Sequence, residues 1–179
     1  MNNSCYNLIT IYGAADVLKS FRDECLIDGC FNFNSVVPRP TCFKPGMNEI
    51  EMVRCIEITG GYSNLNDWCK AKWGTGDKGA YNSAKFLQDL IPHGTDQEYF
   101  FGFLTDWSPC NLNFTQSMAI RFPKVNFRWV FYVPATHLAG DYLYNRVDVF
   151  EHFYPYGTNQ YKDVKKMFEK VNVLLTDAV

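Results

Sequence analysis

At 179 residues the chain has the size of one ordinary domain, long enough to bury a core without help from metals or disulfides. Hydrophobic residues at 47% and charged residues at 20% exclude a disordered chain, and no apolar run reaches the roughly 20 residues that a membrane span requires. A net charge of −2 lacks the basic excess that drives binding to nucleic-acid phosphates, and seven cysteines without C-x-x-C spacing predict reduced thiols in a cytoplasm.

In chain order, CYNLITIYG predicts a buried strand over about Cys5–Tyr12, ended by Gly13. ADVLKSFRDECL predicts a helix with Asp16 as its cap and Val17, Leu18, Phe21 and Cys25 on one face. Pro38, Pro40 and Pro45 turn residues 31–50 into an edge segment followed by a loop. EMVRCIEITGG predicts a second strand stopped by Gly60 and Gly61, and LNDWCKAKW a short helix. EYFFGFLTDW reads as an aromatic strand. Ser108 and Pro109 then form an N-cap and first-turn pair for a helix that ends near Arg121, before Pro123. VNFRWVFYV predicts a strand, and residues Asp141–Tyr154 another. In the last element Tyr161, Val164, Phe168, Val171 and Leu175 recur at helical spacing, which predicts an amphipathic helix packed on the body.

No linker or internal repeat interrupts residues 1–179, so one domain is expected. The order β-α-β-(insert)-β-α-β predicts an α+β fold. Its form is a ferredoxin-like split βαβ antiparallel sheet with helices on one face and a loop-rich insertion. An extra C-terminal strand and helix follow at about 141–176.

The stretch WGTGDKGAY contains a literal G-x-G-x-x-G at Gly74, Gly76 and Gly79. A dinucleotide turn needs an apolar strand before it and a helix N-terminus after it; here the preceding segment is polar and helical. A phosphate loop fails too, because Ala80 and Tyr81 stand where Lys and Ser or Thr are needed. The loop therefore predicts no nucleotide, and no cofactor is expected.

The order of motifs carries a resemblance instead. Cys5, Asn7 and Gly13 open the chain; Phe33, Pro38 and Pro40 follow; then come Trp73, Gly74 and Thr75. Phe103, Thr105, Trp107, Ser108 and Pro109 form F-x-T-x-W-S-P, and Phe122-Pro123 closes the next helix. In this order the chain resembles the YubB-like family of ferredoxin-like proteins from phages and conjugative plasmids, over about residues 4–145. It departs from the family loop W-G-T-K-W by placing Gly76, Asp77 and Lys78 there, and has Ser4 where members tend to carry Trp.

The foremost site candidate joins Trp73, Gly74, Thr75, Asp77 and Lys78 to Asp106 and Trp107. Two Trp-bearing loops either clamp a ligand or partner, or plug the open end of the sheet. Tyr142, Tyr144 and Arg146 belong to a mixed aromatic and charged set, the composition of a protein-recognition face. The competing reading is an amphipathic strand covered by the last helix. Tyr99, Phe101 and Phe103 overlap an RNA-recognition strand and supply an alternative, nucleic-acid-binding face. His93, His137 and His152 lack metal-ligand spacing, so neither a metal nor a catalytic residue is assigned; a small Cys/His enzyme is a further alternative.

The resemblance implies an accessory protein of a phage or mobile element, acting in the host cytoplasm. Together with the aromatic surplus, it predicts a non-enzymatic protein that binds and inhibits a host protein, with a CRISPR-type defence effector as a candidate target.

Overall fold

The computed structural model of the chain describes residues 4–84, 91–93 and 96–176, and side chains outside 81–96 and 171–176. In chain order it runs β1 (Ser4–Gly13), α1 (Ala15–Cys25), β2 (Leu26–Ile27), β3 (Cys30–Phe31), α2 (Glu49–Thr59) and α3 (Leu65–Trp73). It continues with β4 (Tyr81–Ala84), β5 (Ile91–His93), β6 (Asp96–Asp106), α4 (Leu112–Arg121), β7 (Asn126–Val133), β8 (Leu138–Tyr144), β9 (Val149–Phe153) and α5 (Asn159–Thr176).

In β1 the alternate residues Cys5, Ile9 and Ile11 enter one buried cluster, whereas Tyr6 and Leu8 enter another. A strand apolar on both faces needs cover on both, and β1 accordingly lies inside the sheet, antiparallel to β6 on one side and β7 on the other. The sheet order is β4-β6-β1-β7-β8-β9, with β5 also pairing β6. β1, α1 and β4 form one split βαβ unit around β6; β6, α4 and β7 form the second around β1. The fold is therefore the expected ferredoxin-like α+β sheet, lengthened at one edge by β8 and β9.

One face is closed by Leu18 and Phe21 of α1, Phe114 and Met118 of α4, and Phe31, Phe33 and Trp73 of the insertion. They cover Phe101, Phe103, Phe127, Trp129 and Phe131. Each such ring contributes on the order of 1.5–3 kcal/mol on full burial. The opposite face is covered by α5, whose Tyr161, Val164 and Phe168 pack on Tyr6, Leu104, Val130 and Tyr132. The helical spacing of that last element holds as read; the side chains of Val171 and Leu175 lie outside the described residues.

Several expected elements are corrected. The segment EMVRCIEITGG is helical, not a strand: Asn48 Oδ1 accepts from Glu51 N and Glu51 Oε2 accepts from Asn48 N, each at 2.9 Å, a reciprocal capping box. Gly60, at φ +75, ends that helix. α4 is capped by Asn111 instead of Ser108. The single strand expected over Asp141–Tyr154 is a hairpin. Asn145 Oδ1 accepts from the amides of Val147 (3.2 Å) and Asp148 (3.4 Å), and Arg146 takes φ +69. Seven reduced thiols are also not what is found: Cys42, laid on α2 by the Pro-rich loop, pairs with Cys55 in a disulfide, Cα–Cα 5.5 Å.

Candidate binding cleft at the Trp107 loop

The end of α3 and the start of α4 meet at a close backbone crossing. Gly74 caps α3 with φ +84, and a Cβ there would lie 2.3 Å from Asn111 N. Only glycine fits both demands. Asn111 ties the two helices together. Its Oδ1 accepts from Phe114 N at 2.9 Å as the N-cap of α4, while its Nδ2 donates to the Ala71 carbonyl at 2.8 Å. Its own amide donates to the Trp73 carbonyl at 3.1 Å, so carbonyls orphaned at the end of α3 acquire donors.

Next to this crossing the loop after β6 is cross-bonded to the loop after α3. Thr75 Oγ1 donates to the Asp106 carbonyl at 3.1 Å, and Ser108 Oγ donates to the Gly74 carbonyl. The core supports the same loop. Trp129 Nε1 donates to Asn7 Oδ1 at 3.0 Å, Asn7 Nδ2 donates to Thr105 Oγ1 at 3.0 Å, and Thr105 Oγ1 donates to the Ser108 carbonyl at 2.7 Å. Asn7 and Thr105 are buried, and their pairing avoids the cost of an unsatisfied polar group.

The product of this frame is a cleft of about 440 Å³ lined by Asn66, Lys70, Thr75, Gly76, Asp106, Trp107 and Ser108. Lys70 and Asp106 supply opposite charges. Trp107 supplies an indole that is 64% exposed on a left-handed backbone, φ +65. A bulky residue in that conformation is an outlier held by its surroundings.

The two readings of the Trp loops are divided between the two residues. Trp73 is a plug: fully buried, with Nε1 donating to the Val37 carbonyl at 3.0 Å, Phe33 edge-on at 5.4 Å and the Arg39 guanidinium 4.7 Å from its ring. Trp107 is open to solvent. Thr75, Asp106 and Trp107 come together as anticipated, with Gly74 as the backbone hinge beneath. Asp77 and Lys78 are exposed but lie outside the cleft; the Asp77 carbonyl accepts from Arg39 Nη2, and Lys78 borders a neighbouring depression near Phe33. Asn66 and Lys70 were not singled out in the sequence. Both sit on one face of α3 and carry no motif of their own.

The aromatic residues among the other candidates move into the core. Tyr142 and Tyr144 are buried, not presented to a partner. Tyr142 Oη donates to the Cys110 carbonyl at 2.7 Å, and Tyr144 packs on Phe127 with ring centroids 5.4 Å apart. Both stand on the face of β8 that packs in the same core as Phe114 and Met118 of α4, and the turn at Asn145–Asp148 takes Phe150 and His152 off that face. Arg146 lies in that turn, exposed. Tyr99, Phe101 and Phe103 face the helices and are buried, so the face proposed for stacked bases is filled by protein. On the other face Asp141, 5% exposed, accepts from Arg128 Nε at 2.7 Å and lies 2.9 Å from His152 Nδ1.

Burial pushes the thiols of Cys5 and Cys25 up to about 12 and that of Cys69 to about 11; Cys110 also lies well above the ordinary thiol value for the same reason. These four are neutral packing groups, not activated nucleophiles. Among the described residues no group of three or more His, Cys, Asp and Glu is placed to hold a metal ion, and no helix is long and apolar enough to cross a membrane.

Fold and cleft thus define an α+β protein with a mixed-charge recess, framed by cross-bonded loops and rimmed by an exposed tryptophan. No family model matches the chain, and no curated protein matches it. Among solved structures it is similar to protein api92 from Yersinia pseudotuberculosis, described with the family model DUF1281, at 18% identity and a TM-score of 0.37. The match spans 55% of this chain and 33% of that one, so the chain covers about a third of that protein's length.

Proposed function

We propose that the chain is a non-catalytic binding protein that docks on a partner protein by inserting Trp107 into it, with Lys70 and Asp106 setting the orientation. The carrying observation is the exposed indole on strained backbone, held by two cross-bonded loops. Exposed tryptophans on a preorganised frame are the residues that dominate binding hot spots, and the frame lowers the ordering cost of association. In keeping with the phage and plasmid family it resembles, the partner is a host component, and a defence effector is the kind expected. The nucleic-acid alternative has lost its surface, since Phe101 and Phe103 pack under helices.

The test replaces Trp107 with a photo-crosslinking benzoylphenylalanine and irradiates bacteria that express the protein. A discrete protein adduct at Trp107, absent when the exposed Lys19 is replaced instead, is the expected result. Adducts to nucleic acid, or the same diffuse pattern at both positions, would sink the proposal.

A further inference from the structure

β9 is the last strand of its sheet, and among the described residues nothing pairs with its outer side. Tyr154 N donates to the Ala139 carbonyl at 2.8 Å. Antiparallel alternation then turns the backbone groups of Phe150 and His152 toward β8, and those of Val149, Glu151 and Phe153 outward. The strand is unusually bare. Four consecutive residues, Phe150–Phe153, are exposed, with Phe150 at 45% on one face and Phe153 at 54% on the other.

Protein edges are normally blunted by Pro, Lys, bulges or a covering loop. VFEHF contains no Pro or Lys, and its one acidic side chain, Glu151, sits at the centre. That position decides the occupant. Full antiparallel pairing of β9 with a second copy would set Glu151 directly against its own counterpart, and like charges opposite one another are destabilising. The same carboxylate is complementary to a cation, while the turn before the strand is charge-balanced, with Arg146 and Asp148 both exposed.

We propose that this edge accepts an extended segment of a partner protein as an eighth, antiparallel strand. The incoming segment carries Lys or Arg opposite Glu151 and apolar residues opposite Val149 and Phe153. Main-chain bonds supply the affinity, and the central charge excludes self-association. The surface shares no residue with the Trp107 cleft, and the proposal stands without it.

The probe is the peptide acetyl-Thr-Val-Thr-Lys-Thr-Val-Thr-amide, titrated into the isotope-labelled full chain and followed by amide NMR. Expected are shifts centred on Val149, Glu151 and Phe153, with about fivefold tighter binding than the same peptide carrying Glu in place of Lys. Glu151→Lys, at an exposed position, should fold normally and reverse the preference. Trp107→Ala should leave the shifts unchanged. Equal affinity for the two peptides, shifts centred elsewhere, or no binding at millimolar peptide would overturn the proposal. So would a concentration-dependent dimer that shields the same three amides, which would make the occupant a second copy.

Discussion

Trp107 holds a backbone conformation that costs a non-glycine residue roughly 1–2 kcal/mol, while its ring recovers little burial in return. Trp107→Gly should therefore raise stability by about 1 kcal/mol while weakening partner binding more than tenfold, the loss expected for a hot-spot residue. Thermal unfolding and partner titration together check this opposition of signs. Asn111 is a different kind of residue, since one side chain caps α4 and also serves the end of α3. Asn111→Ala should cost about 2 kcal/mol or more in urea unfolding. Asn111→Ser keeps an α4 cap acceptor, loses the donation to Ala71, and should cost less. The buried thiols of Cys5 and Cys25 add a pH dependence. Their native values near 12 exceed the ordinary 9.0, so the native state holds its protons where the unfolded state releases them. Their contribution is complete below pH 9 and is lost as pH rises from about 9 to 12. Urea midpoints measured across that range should fall, and less so in Cys25→Ala.

At the scale of elements, the junction of α3 and α4 is the most demanding contact near the site. Gly74→Ala meets backbone, with Asn111 N at 2.3 Å and the Cys110 carbonyl carbon at 2.8 Å, so no side-chain rotation relieves it. A loss of about 2–4 kcal/mol is expected, together with loss of partner binding, because the Thr75 and Ser108 bonds depend on the same crossing. Unfolding free energy and partner affinity measured on one preparation test both halves. How far the elements were legible follows from the strength of their local signals. β1 and β7 are apolar-rich runs, α3 is a short capped segment and α5 carries a clean helical period, so all four are readable within a few residues. α2 was misread because its Val, Ile and Thr content favours a strand, although the Asn48-x-x-Glu51 box that decides for helix stands in the sequence. The β8–β9 hairpin was missed because Asn-Arg-Val-Asp contains no Gly or Pro, and an Asn side chain closes the turn instead.

At the scale of the whole molecule, period-2 alternation identified strands but could not say which face was covered, or by what. Phe101 and Phe103 fit either strand residues packed against another layer or an open aromatic face, and the helices and the insertion decide for the first by closing over them. Trp73 and Trp107 look alike as letters. Their fates differ because one ends α3 inside the core and the other stands on the exposed loop that follows β6. The cleft was half legible: Thr75, Asp106 and Trp107 belong to motifs, whereas Asn66 and Lys70 join only because the fold sets α3 beside the loop after β6. The support beneath, from Trp129 through Asn7 to Thr105, links residues 122 positions apart and has no sequence signature.

The central claim is that Trp107 is the anchor of a protein–protein contact. Affinity capture from bacterial lysate with tagged wild-type chain and tagged Trp107→Ala, both shown to be folded, tests it most directly. A protein retained in stoichiometric amount by the wild type and lost by the variant is the predicted result. Equal retention by both, or an eluate whose ultraviolet absorbance shows nucleic acid and no protein partner, would contradict it.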